Sequence, residues 1–230
     1  MPEPPIDLSG WKPAPLPCRE PIYGRHVLLE PLDAELHAAD LWKAVHGHDE
    51  VWTYLADGPY ANEADLGRAI GEKQAGSGAV FFAILPKATN HAAGYASYMR
   101  MDPANGVIEV GNILLAPSLQ RTVAATEAMY RMARHIFEDL GYRRYEWKCN
   151  ANNAPSRRAA LRLGFTFEGI FRQHMVIKGK NRDTAWFSML DSEWPARKAV
   201  FEAWLDPANF DADGRQRRSL AQLSGCDSRA

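Results

Sequence analysis

The segment that most restricts what this chain can fold into runs from Val107 to Cys149. Val107 to Leu115 reads as a strand. Ala125, Met129, Met132, Ala133, Ile136, Phe137 and Leu140 then fall at spacings of three and four, which marks one buried face of a helix. Gly141 can take the left-handed backbone that ends it, and Arg144 to Cys149 reads as the next strand. Upstream, Gly94 to Met101 is a strand joined to Val107 through the turn Pro103-Ala-Asn-Gly106, where Asn-Gly favours a tight hairpin. A hairpin strand that feeds a helix and then another strand is a crossover inside a mixed sheet. Such a crossover sets a helix N-terminus at the carboxyl end of a strand, where anionic ligands bind well.

The remaining elements follow from local signals. His26 to Glu30 reads as a short strand. Asp33 caps a helix to about His46, and Asn62 caps a second from Glu63 to about Ala75, weakened by Gly67 and Gly71. Phe81 to Leu85 is a buried strand. Pro155 to Leu163 is a short helix stopped by Gly164. Phe165 to Ile177 and Thr184 to Leu190 form a hairpin around Lys178-Gly-Lys-Asn-Arg-Asp183, a basic tip with paired charges. Ser192 caps a final helix through Leu205, with Trp194, Val200, Phe201 and Trp204 on its apolar side. The fold class is α/β (α+β), with one domain over residues 21–205. A proline-rich arm at 1–20 lies extended on it, pinned by Trp11, and residues 206–230 form a loosely held polar tail.

With 230 residues, 46% of them hydrophobic, the chain can build one substantial core. A net charge of −1 gives no global attraction to nucleic acid or to an anionic membrane. No apolar run approaches the roughly 20 residues that span a bilayer, and the N-terminus lacks the pattern of a signal peptide. Cys18, Cys149 and Cys226 have no CxxC spacing and suit free thiols in a reducing cytoplasm. The run His46-Gly-His48-Asp49-Glu50 has no partner motif of matching spacing, so no metal is expected there.

Two segments carry a family resemblance. Ile108-Glu-Val-Gly-Asn-Ile-Leu-Leu-Ala-Pro-Ser-Leu-Gln-Arg-Thr-Val-Ala-Ala-Thr-Glu-Ala-Met129 looks like the signature region of the GNAT acetyltransferase superfamily. It resembles in particular the branch that acetylates N-terminal amines of ribosomal proteins. Trp147 to Phe165 carries the matching Asn-x-x-Asn-x-x-Ser pattern ending in Leu-Gly-Phe, and Phe167-Glu-Gly-Ile-Phe171 follows. The resemblance covers roughly residues 22–195 and implies a mixed, mostly antiparallel sheet flanked by helices, with a splayed pair of parallel strands. It implies an N-acetyltransferase that uses acetyl-CoA and an amine acceptor, a small molecule or a protein N-terminus.

The resemblance also implies site residues. The loop Gln120, Arg121, Thr122, Val123, Ala124 and Ala125 opens the long helix, and its free amides would hold the CoA pyrophosphate. Val123 departs from the family, which usually has glycine there; a β-branched side chain opposes close backbone approach or positive φ. Arg121 can pair with a phosphate instead. Gly111-Asn112 in mid-strand predicts a β-bulge. In the family a bulge here splays the strand, so that amides near Ile113 and Leu115 face the pantetheine and can polarise the thioester carbonyl. Glu109 can take the proton of the attacking amine, the alternative being a structural glutamate facing away from the cleft. Asn150 can bond a water or the acceptor, and Asn153 can cap a helix and contact CoA. Ser156 can bond CoA or protonate the departing thiolate; water serves as well, since Ala160 stands where many relatives have tyrosine. Trp52, Tyr54, Tyr98, Arg100 and His174 come from regions that build the acceptor pocket in the family. Rival readings are a CoA-binding module without catalysis and transfer of another acyl group. The arms at the two ends offer surfaces for a homodimer.

Overall fold

The structure, a computed structural model, describes residues 7–225. The prolines Pro2, Pro4 and Pro5 of the arm, and Cys226, lie outside the described residues. Eight strands form one sheet: β1 (Ile22–Tyr23), β2 (Val27–Pro31), β3 (Ala79–Pro86), β4 (Gly94–Asp102), β5 (Val107–Leu115), β6 (Arg144–Asn150), β7 (Thr166–Ile177) and β8 (Lys180–Leu190). Their spatial order is β1-β2-β3-β4-β5-β6-β8-β7. All neighbours are antiparallel except β5 and β6, which the crossover makes parallel. The helices are α1 (Ala34–Val45), α2 (Glu63–Ala75), α3 (Val123–Arg134), α4 (Ala154–Arg162), α5 (Trp194–Leu205) and α6 (Leu220–Leu223).

Strand alternation feeds two cores. Val80, Phe82 and Ile84 of β3 join a core with Met129 and Met132 of α3 and Phe201 and Trp204 of α5. Phe81, Ala83 and Leu85 point the other way, into a core with Leu41 of α1 and Leu66 and Ile70 of α2. A strand buried on both faces reads as a continuous apolar run, which is why β3 shows no polar alternation. Small residues on α3, Ala124, Ala125, Ala128 and Ala133, let that helix lie close to the sheet. Among the described residues none of β6 or β8 belongs to the second core, so no described helix covers their polar face, next to α1 and α2.

The caps at Asp33 and Asn62 form as expected: Asp33 accepts from the Glu35 and Leu36 amides, and Asn62 from the Asp65 amide. Trp11 does pin the arm, its indole N–H donating to the Ala104 carbonyl at 2.8 Å while Ala14 N–H bonds Pro103 O. Other expectations need correction. The long helix changes at His135 into a π turn that runs to Asp139 before Gly141 closes it. The last hairpin turns on Lys178 and Gly179 alone, both at positive φ, and 180–183 belong to β8; two left-handed residues match the twist of the paired strands. Glu193, not Ser192, precedes α5, and it makes no side-chain cap. Residues 206–225 are no loose tail. Trp204 Nε1 donates to Gln216 Oε1 at 2.7 Å, buried Asn209 bonds the carbonyls of Trp204 and Arg218, and Leu220 is buried in the core. Among the described residues no helix is long and apolar enough to cross a membrane.

Candidate active site

The parallel pairing of β5 and β6 runs from Val107–Arg144 to Val110–Trp147 and stops. Both strands continue, β5 to Leu115 and β6 to Asn150, so their carboxyl halves diverge into a gap. A bulge accompanies the divergence: Tyr95 and Ser97 of β4 pair with Leu114 and Gly111, which gives β5 one extra residue. Asn112 takes φ 50°, a conformation asparagine tolerates, and its amide donates to Ser97 Oγ at 3.3 Å. Ser97 Oγ in turn donates to Gly111 O at 3.1 Å. Ile113 and Leu115 lie beyond the bulge, half-buried against the α3 core.

The N-terminus of α3 stands beside this gap. Gln120 Nε2 donates to Leu115 O at 3.0 Å and so ties the loop to the end of β5. Arg121 is exposed at φ 61°, and Thr122 caps the helix, its Oγ1 accepting from the Ala125 amide at 3.1 Å. Among the described residues the amides of Arg121, Val123 and Ala124 donate to no protein acceptor outside the helix. Those of Val123 and Ala124 are the orphan donors of any helix start. Val123 is itself the first helical residue and packs against the core. The left-handed φ of this loop falls on Arg121, so the branched side chain meets no backbone requirement that it opposes.

Across the gap, Asn153 caps α4 by accepting from the Ser156 amide at 3.1 Å. Ser156 Oγ accepts the Trp147 indole N–H at 3.0 Å and turns its own hydroxyl hydrogen toward the Cys149 sulfur. Asn150, at the end of β6, accepts the Asn152 amide at 2.9 Å. Ala160 is fully buried. Burial pushes the Cys149 thiol up, against a hydrogen bond from Ser156, so it is not an activated nucleophile.

Glu109 is buried, on the face that no described helix covers over β6 and β8. Arg100 Nη1 and Lys148 Nζ lie 2.7 and 3.0 Å from its Oε2. A second bulge, on β4 with Arg100 at φ 45°, brings that guanidinium onto the face of Glu109. Lys148 also holds Glu146 Oε2 at 2.6 Å and stands 3.8 Å from the Trp186 ring centre. Arg144 joins Glu146 to Glu168. His174 shares the face through Thr184, its Nδ1 3.0 Å from Oγ1. Burial, then the charges of Arg100, Arg182 and Lys148, hold its imidazole below the usual range, so it is neutral at pH 7. The loop between α1 and α2 walls this chamber: Lys178 Nζ donates to Trp52 O at 3.0 Å, and the Tyr54 hydroxyl to Asn152 O at 3.1 Å.

Two residues expected in the acceptor pocket sit elsewhere. Tyr98 is buried on the opposite face of the sheet, and its hydroxyl donates to Met132 O of α3 at 2.9 Å. The Trp52 ring is core, edge-on to Tyr60 with centroids 5.2 Å apart. Lys148, Arg182 and Trp186 went unread in the sequence. Their signal was present: polar 146, 148 and 150 alternate with apolar 145, 147 and 149, their counterparts on β8 are 188, 186 and 184, and 182 continues that alternation.

Comparison with known proteins gives a consistent result. Residues 26–166 match the family model described as Acetyltransferase (GNAT) domain. The chain is similar to a crystal structure of a GCN5-related N-acetyltransferase from Brucella melitensis: 49% identity, TM-score 0.93, with 95% of this chain and 100% of that chain covered. It is 27% identical to Uncharacterized N-acetyltransferase p20 of Bacillus licheniformis over 178 residues, 76% of this chain and 98% of the relative. It is 32% identical to the Ribosomal-protein-serine acetyltransferase of Escherichia coli over 101 residues, 44% of this chain and 56% of the relative.

Proposed function

We propose that this chain, which belongs to the GNAT acetyltransferase family, transfers an acetyl group from acetyl-CoA directly to a primary amine on a small molecule or a protein N-terminus. The observation that carries this reading is the parallel pair β5–β6 ending at Val110–Trp147 beside the uncapped amides of α3. In it, the Arg121, Val123 and Ala124 amides and the positive end of the α3 dipole receive the CoA diphosphate. The pantetheine arm lies along the unpaired edge of Gly111 to Leu115.

An alkylammonium ion has a pKa of about 10, so the amine must shed a proton to attack. Glu109 suits that task because both of its cation contacts fall on Oε2, which leaves Oε1 to accept the proton. As the amine nitrogen bonds the acetyl carbon, charge gathers on the thioester oxygen, and main-chain N–H groups on the β5 edge stabilise it. The carbon–sulfur bond then breaks, and the CoA thiolate takes a proton from Ser156, in the first turn of α4, or from water. Asn150 and Asn153 line the sulfur end of the gap from the β6–α4 turn.

Calorimetry with acetyl-CoA, followed by CoA thiol release in the presence of a panel of primary amines, tests the reading. Saturable binding with amine-dependent release, and a product heavier by one acetyl group, is expected. Binding without turnover of any amine would leave a CoA-binding module in place of an enzyme.

A further inference from the structure

On the chamber face every carboxylate is committed. Arg144 spans Glu146 and Glu168, Lys148 spans Glu109 and Glu146, and Arg100 closes on Glu109. One cation remains. Arg182 lies on β8 opposite Met175 of β7, and strand alternation puts it on the face of Thr184, Trp186 and Ser188, one step past Asn150 of β6, whose partner is Thr184. The Arg182 side chain is half-buried and makes no ion pair or hydrogen bond among the described residues, and its Nε is shut off from water without an acceptor. Trp186 Nε1, on the same face of the same strand, is a second buried donor without a partner. Buried donors left unpaired are costly, and a guanidinium is costlier than a neutral group. A half-buried cation with idle donors, walled by the α1–α2 loop and the β7–β8 hairpin, is a receptor for an oxyanion.

We propose that the acceptor amine carries an oxyanion, a carboxylate or a phosphate, which docks on Arg182 in this chamber. The inference rests on the acetyltransferase reading above. Burial and the nearby charge of Arg100 lower the proton affinity of Arg182, and an arriving anion relieves both effects. The same unpaired charge disfavours a diamine or polyamine, whose far ammonium would meet the Arg182 guanidinium with no carboxylate between them.

The test uses straight-chain primary amines of graded length that end in a carboxylate, a phosphate, a carboxamide or a second ammonium. Each is titrated into the full chain saturated with CoA, and each is assayed for thiol release with acetyl-CoA. The anionic amines should bind at least about tenfold tighter than the amides, as expected for a charge-assisted contact, and the diamines should bind weakest. Arg182→Gln should collapse that ratio. Arg182→Lys, which keeps the charge and loses the fork, should restore part of it and gives the same readout if the glutamine variant does not fold. The carboxylate and phosphate arms tell the two sources of the anion apart. Amides or diamines that bind as tightly as the anionic amines, or a ratio untouched in both variants, overturn the inference while acetyl transfer still stands. Anion-selective binding without thiol release keeps the inference and removes the transfer reading.

Discussion

Glu109→Gln separates catalysis from binding and from folding, and the structure sets the size of each effect. Glu109 is 3% exposed, and its Oε2 alone contacts both Arg100 and Lys148. In the variant Lys148 keeps Glu146 at 2.6 Å, and Arg100, with a side chain 39% exposed, recovers water. Removal of a partner from a fully buried pair costs about 3–5 kcal/mol. With both cations partly compensated here, a loss of about 1–3 kcal/mol follows, inside the stability of an ordinary domain. The fold should survive. The α3 amides are untouched, so the affinity for acetyl-CoA should stay within about twofold, since no charge-assisted contact to it is lost. The amine loses its proton acceptor, and kcat/KM should fall by about 10²–10⁴. Denaturant unfolding, calorimetry and thiol release measure the three quantities, with the pH–rate profile as a fourth. A rate within a few-fold of the parent, or a profile of unchanged shape, removes Glu109 as the base. A parallel loss of CoA affinity would show that Glu109 supports the cleft instead of the proton transfer.

Three further outcomes are expected. A Cβ at Gly94 would stand 2.3 Å from the Leu114 carbonyl oxygen, so Gly94→Ala must displace the carboxyl half of β5; it should cost about 1–3 kcal/mol and weaken acetyl-CoA binding, and unaltered binding would contradict the role given to that edge. Glu127 accepts the backbone amides of Arg25 and His26 at 2.7 and 2.6 Å and the Arg131 guanidinium at 3.0 Å; Glu127→Ala orphans two amides and should lower unfolding stability by about 3 kcal/mol, a loss under about 1 kcal/mol being evidence that water replaces the carboxylate. Desolvation raises the Glu138 carboxyl, but Lys198, Trp194 and Arg134 outweigh it and hold the group down to about 2 from its ordinary 4.5. The folded value is the lower one, so this contribution is complete above pH 4.5 and fades as pH falls toward 2; for a group open to water it is worth at most about 1 kcal/mol. Glu138→Gln should flatten acid unfolding in that window, and an identical slope would refute the assignment.

The elements legible in the sequence were those whose signal is local. The bounds of β5 follow from turn residues on one side and Pro117 on the other, and the caps of α1 and α2 from Asp33 and Asn62. The misreadings arose where tertiary context decides. Tyr98 lies on a strand buried on both faces, so composition could not say which core it joins. Residues 206–225 bury only Asn209 and Leu220, too few to show a periodic face, and they are held by side-chain bonds such as Trp204 to Gln216. The positive φ of the α3 loop belongs to Arg121, a backbone fact that a glycine pattern at Val123 could not reveal. Arg182 became visible only when pairing showed which cations already had partners.

The central claim is that CoA enters the gap between β5 and β6 and binds the opening of α3. Amide hydrogen exchange with and without saturating CoA tests it most directly. The amides of Gly111 to Leu115 and of Arg121 to Ala124 should gain protection together. Protection gained elsewhere, with both of these segments exchanging as fast as in the free protein, would contradict the account.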